Sequence, residues 1–281
     1  AGFDFKIFAS KLKADRTVRN DIKTEFTRNI SELVDRINEM ATTIETATDK
    51  EILVIIDDLD KLDLSVAMEI YKYNVKALFL PDFRIIFTIP ISALRDVEQK
   101  AILRTEANNQ IAILSVSKLF GKGERSLPHA VPKAEQVAVL REAIAKRVKS
   151  ELIEEETVDK IVLASGGVLR ELIRITNECC RVCLQSIRGN REDTNIKINN
   201  EVLEEAITEI RIDFDMGIGT TDYQILKKVS EEFGPQDANE QRFLNLLHGL
   251  YVLEYRNKEL WYDIHPIITE LLQQDRKSTR L

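Results

Sequence analysis

The residues best suited to chemistry lie in the run ILVIIDDLDKLD, an apolar stretch of strand length that ends in two adjacent carboxylates, Asp57 and Asp58. In an open parallel sheet, ligands bind beyond the carboxyl ends of the strands, which is where such a pair would sit. The first carboxylate, Asp57, can hold Mg²⁺, usually through water, because this ion takes hard oxygen ligands and keeps much of its hydration. The second, Asp58, can position or deprotonate a water that attacks a γ-phosphate. The same run also fits a buried strand followed by a solvated acidic turn. A second cluster, Cys179, Cys180 and Cys183, lacks a fourth Cys or His at metal-binding spacing. It reads as helix thiols in a reducing cytosol.

The elements that must position these carboxylates follow from periodicity. Between Arg16 and Thr48, apolar residues recur at three- and four-residue steps, which predicts an amphipathic helix. EILVIIDD and FRIIFTIP are continuous apolar runs that predict strands buried on both faces, with a helix over Leu64–Leu78 between them. Strand, helix, strand implies a parallel sheet, and a third short strand is expected at 111–116. The Gly-, Pro- and Lys/Arg-rich stretch SKLFGKGERSLPHAVP reads as a loop closing a first domain, residues 1–132. Residues 133–215 then show only helical spacing. After the hinge DMGIGTTD, two short helices precede YVLEYRNKELWYDI, two alternating strands about a turn at Asn257-Lys258. A helix opened by Pro266 follows. Helix, helix, hairpin, helix over 216–275 is the winged-helix order, and 276–281 form a polar tail.

With these elements in place, ILVIIDDLDKLD resembles the Walker B segment of P-loop NTPases of the AAA+ and STAND branches. FRIIFTIPISALRD resembles the following strand, sensor 1, and SGGVLRELIRI the sensor 2 turn and helix. The resemblance implies an α/β fold: a partial parallel-sheet NTPase core, then an α-helical lid and a winged-helix domain. It implies ATP/ADP and Mg²⁺ as cofactors, with Thr88 and Arg170 facing the γ-phosphate side and Arg174 one helical turn beyond Arg170. In STAND switches a Met-His-Asp-like motif touches the ADP phosphate. Here WYDIHPIITELL puts His265 in its place, with Ile264 and Pro266 where Met and Asp are usual. The family's G-x-x-x-x-G-K-[ST] loop does not occur in the chain, and FGKGERS has the wrong spacing. Such a loop is expected upstream of Ala1, so the chain taken alone is expected to be inactive.

Charge bears on partners. The net charge is −7, and the winged-helix region Thr220–Asp275 has five basic and ten acidic residues. A DNA reader needs Lys and Arg to neutralise phosphates, so DNA binding is disfavoured. No run of eighteen apolar residues predicts a membrane span. The resemblance implies self-assembly on activation, with Arg95 or Arg104 as a finger for a neighbouring subunit, and a signalling or defence role in a bacterial cytoplasm. Two other readings stay open: an AAA+ DNA-associated ATPase of the initiator or transposition-regulator type, and a non-catalytic scaffold with a degenerate core.

Overall fold

The computed structural model describes residues 16–95, 97–189, 196–257 and 259–272, with side chains left out for 16–29, Leu64 and Asn257. The polar tail 276–281 and Lys258 of the hairpin turn lie outside the described residues. The chain divides into two compact units, Ala1–Ile111 and Ala112–Leu281.

In the first unit, the amphipathic spacing produces helix α1, Arg16–Thr48. Its Asn38 and the loop residue Asp82 bind each other twice: the Asn38 amide donates to the Asp82 carboxylate at 3.2 Å, and the Asp82 N–H donates to Asn38 Oδ1 at 2.9 Å. Strands β1 (Leu53–Ile56) and β2 (Arg84–Phe87) pair in parallel, Leu53 opposite Arg84 and Ile56 opposite Phe87. The crossover expected as one helix is divided into α2 (Leu64–Met68), a π turn at Glu69–Tyr73 and α3 (Val75–Leu78). At the division the Asn74 side-chain amide donates to the Glu69 carbonyl at 2.9 Å, a local bond that competes with the helical ladder. After the short turn Ile91–Leu94 comes α4, Val97–Glu106. The core is built from Ala67, Tyr71, Val75, Ala93, Leu94 and Leu103, with Phe87 and Ile89 packed on it.

Two expectations for this part of the chain are corrected. The strands are not buried on both faces: Leu53, Ile55 and Ile86 keep 53%, 65% and 54% of their surface in contact with solvent. The half-buried positions alternate with these, so the crossover side of the sheet is covered and the other side is not, a period-2 outcome for residues that read as uniformly apolar. The third strand also does not form, since residues 111–116 are unpaired and Leu114 is 97% exposed. An apolar run becomes a strand only where a neighbour offers a ladder, and none does here.

In the second unit, α5 (Ala134–Ala145), α6 (Glu155–Ala164), α7 (Leu169–Gly189) and α8 (Asn200–Met216) pack together. On α8 the buried residues Leu203, Ala206, Ile210 and Phe214 recur at helical steps, and the Asn199 side chain caps the first turn by accepting from the Val202 N–H at 3.0 Å. Helices α9 (Thr220–Glu232) and α10 (Gln241–His248) precede an antiparallel hairpin, β3 (Val252–Asn257) and β4 (Glu259–Ile264). Tyr255 and Trp261 face each other across it, rings stacked at 4.3 Å. Pro266 then opens a 3₁₀ turn that runs on as helix through 272. Among the described residues, no helix is long and apolar enough to cross a membrane.

Candidate functional site

At the end of β1 the chain turns sharply. Asp58 has φ 66°, a left-handed conformation that Asp tolerates better than most residues, and its N–H donates to Asp57 Oδ1 at 2.8 Å. The 3₁₀ turn Leu59–Lys61 follows, with the Lys61 ammonium paired to Asp58. This brings Asp57, Asp58 and Asp60 together, each offering an oxygen within 4.8 Å of the others. Three convergent carboxylate oxygens are the donor set a hard divalent cation takes. Asp57 and Asp58 are exposed and Asp60 is half-buried.

Thr88 is the support behind this turn. Its N–H donates to the Ile56 carbonyl at 3.2 Å, which extends the ladder past β2. Its hydroxyl accepts from the Leu59 N–H at 3.2 Å, and its carbonyl accepts from the Tyr71 hydroxyl at 2.6 Å. The resemblance implies that Thr88 faces the γ-phosphate side of a site; in the structure its hydroxyl is bonded to the turn that follows the acidic pair. Burial, with the Asp60 carboxylate second, drives the Tyr71 phenol well above its ordinary range, so it remains a donor. Asp60 and Tyr71 are the residues sequence reasoning passed over. Asp60 stands inside the quoted motif, and its i+3 position from Asp57 was the available signal.

Arg95 and Arg104, the candidate finger residues, lie in the first unit, and the sensor 2 and His265 positions lie in the second. Gly166 and Gly167 have φ 61° and 87°. A Cβ on Gly167 would meet the Ser117 carbonyl oxygen at 1.8 Å, and one on Gly166 would meet Leu253 Cδ1 at 2.5 Å. The Tyr255 hydroxyl donates to the Gly166 carbonyl at 2.8 Å. The glycine pair is therefore required by close backbone packing at the start of α7.

Arg170 is exposed on the first turn of that helix. Arg174 is engaged within the fold: it reaches Glu171 at 3.5 Å and Asp213 at 3.2 Å, and its guanidinium lies 5.3 Å from the Phe214 ring centre. His265 is fully enclosed. Its Nδ1 accepts from the Ile267 N–H at 3.3 Å, and its Nε2 points at Glu171 Oε2, 3.7 Å away. Burial, reinforced by Arg125 and Arg174, pushes the imidazole down to about 3, so it is uncharged and the contact is not an ion pair. Burial also raises the Glu171 carboxyl, against the opposing pull of Arg174 and Arg170. Arg174 and His265 thus share one buried acid, Glu171. That acid lay between the quoted Arg170 and Arg174, but nothing in their spacing connects it to a residue 94 positions further on.

The basic loop does not present a solvated cationic patch throughout. Arg125 pairs with the buried Asp263 at 3.0 Å, and Lys118 lies over the Trp261 ring at 5.4 Å. On α10, Arg242 pairs with Asp222 at 3.3 Å while Phe243, Leu244, Leu246 and Leu247 are buried.

No protein-family model and no curated protein matches the chain. Among solved structures it is similar to variants of RuvB from Thermotoga maritima. Two are 17% identical with TM-scores of 0.38 and 0.36, covering 85% of this chain and 74% of theirs. A third is 18% identical at a TM-score of 0.37, covering 82% and 72%. Likeness at these scores carries no argument about this chain, and what it does rests on its own residues.

Proposed function

We propose that the chain carries the metal-binding and regulatory parts of an ATP-dependent molecular switch of the AAA+/STAND type. The observation that carries this reading is the junction of the Asp57-Asp58 turn with Thr88, held by the Leu59 N–H on the Thr88 hydroxyl. Asp57, with Asp60 beside it, would hold Mg²⁺, and the convergent carboxylate oxygens fit that ion. When bound, the cation offsets charge on the β- and γ-phosphates. Asp58 would orient a water and take its proton, which requires that it exchange Lys61 for the substrate water. Thr88 would donate its hydroxyl proton to the γ-phosphate side, since its oxygen already accepts from Leu59.

Arg170, exposed at the start of α7, would read the phosphate. Arg174 and His265 would contact nucleotide only after release from Glu171, which makes them part of the switch rather than of a standing site. Residues 216–272 would act as the winged-helix element, moving with nucleotide state and exposing surface for self-assembly. The paired Arg242 and the acidic balance of this region support a packing role over DNA reading.

The reading requires a G-x-x-x-x-G-K-[ST] loop, which these residues do not contain. The test is steady-state ATP hydrolysis, with Mg²⁺, by a polypeptide that joins such a loop to this chain. Asp58→Asn is expected to reduce kcat by a factor of about a hundred or more, in line with loss of a general base. Hydrolysis unaffected by this change would leave the acidic turn a solvated bend, and absence of hydrolysis in the unsubstituted polypeptide would favour the scaffold reading.

A further inference from the structure

In the second unit, the enclosed imidazole of His265 has an outer nitrogen, Nε2, with no hydrogen-bond partner in the structure. Because Nδ1 accepts the Ile267 N–H, a neutral ring carries its proton on Nε2, directed toward the Glu171 carboxylate. The ring is held on several sides. The His265 backbone N–H donates to the Tyr251 carbonyl at 2.9 Å, and the Phe214 ring of α8 lies 5.2 Å from the imidazole, centre to centre. Just beyond it, Arg211 of α8 donates to the Ile267 carbonyl at 3.2 Å and pairs with Glu270 at 3.0 Å. The site suits an uncharged ring. An imidazolium there would lose its hydration beside two guanidiniums, Arg174 and Arg125, with the first already shared among Glu171 and Asp213 and the second paired to Asp263.

We propose that His265 and Glu171 form a proton-operated latch that holds residues 250–268 against α7, closed while the imidazole is uncharged and released when it takes up a proton. The latch needs no nucleotide, so it goes beyond the ATPase reading and does not depend on it.

The direction of the pH effect is fixed by the charged groups that face the ring. A His265 released to solvent titrates near 6.5, and in the closed form it is held at about 3. Its contribution to closure is therefore full above 6.5 and is lost as the pH falls toward 3. Glu171 and Asp263 act the other way. Burial raises both carboxyls in the closed form, so acidification through their range favours closure. Burial also raises Tyr251, which titrates in alkali. Among the described groups at this contact, only His265 can open the latch on mild acidification.

The test is hydrogen exchange followed by mass spectrometry on the full chain, with protection of residues 250–268 taken relative to α5 so that intrinsic pH effects cancel. In Glu171→Gln, which removes one of the two opposing titrations, protection is expected to fall by up to about tenfold between about pH 7.5 and about pH 5.5. His265→Asn keeps an oxygen to accept the Ile267 N–H and removes the titration. Wild type is expected to lose about tenfold in protection relative to His265→Asn over the same range, which decides the matter even where Glu171→Gln does not fold. Protection in Glu171→Gln that does not change with pH, or an equal loss in His265→Asn and wild type, would overturn the latch.

Discussion

The acidic turn of the first unit and the Glu171–His265 contact of the second both bring ionisable groups close together, yet they can do different things. At the turn, Asp57 and Asp58 are exposed, so a cation can reach Asp57 without opening any packing, while Asp58 is engaged by Lys61. At the second contact, Glu171 keeps 3% of its surface exposed and His265 none. There the surroundings suppress charge, raising the carboxyl and lowering the imidazole, and no ligand enters unless the packing opens. Burial, more than residue type, separates a standing site from a conformational one.

The sharpest way to break this contrast is to disturb the packing that encloses the second contact. Gly167→Ala places a Cβ against the Ser117 carbonyl oxygen at a φ of 87°, and backbone must shift to admit it. The expected loss is about 3 kcal/mol or more of the second unit's stability, read by urea denaturation with Trp261 fluorescence. A change under about 0.5 kcal/mol would mean that this turn is far softer than its contacts indicate. A smaller effect of opposite sign is expected at the acidic turn. Asp58→Gly removes the left-handed strain at φ 66° and is expected to stabilise the first unit by up to about 1 kcal/mol, while removing the group assigned to the water. Destabilisation, read by hydrogen exchange of the β1 and β2 amides, would instead show that the Asp58–Lys61 pair outweighs the strain.

Much of this arrangement is legible in the sequence, and what is not has physical causes. Strands, helices and hairpin follow from apolar spacing, and the Asp57-Asp58 turn and Thr88 are adjacent once two parallel strands are inferred. Spacing cannot reveal how many neighbours a strand has. For that reason Leu53 and Ile55 read as buried yet are exposed, and 111–116 reads as a strand yet finds no ladder. The glycines before Arg170 suggest a phosphate-reading turn, whereas the structure gives them a packing task against Ser117 and Leu253. His265 was singled out by its place after the hairpin, but its enclosure and its approach to Glu171 depend on long-range packing that no local pattern records.

The central claim, that the turn at 57–60 holds a divalent cation, is tested most directly by titrating Mn²⁺ into the full chain and reading bound ion by electron paramagnetic resonance. A single site is expected, weakened about tenfold or more by Asp57→Asn and unaltered by Asp263→Asn, whose carboxylate is already paired with Arg125. Binding that is absent in wild type, or equal in wild type and Asp57→Asn, would contradict the account.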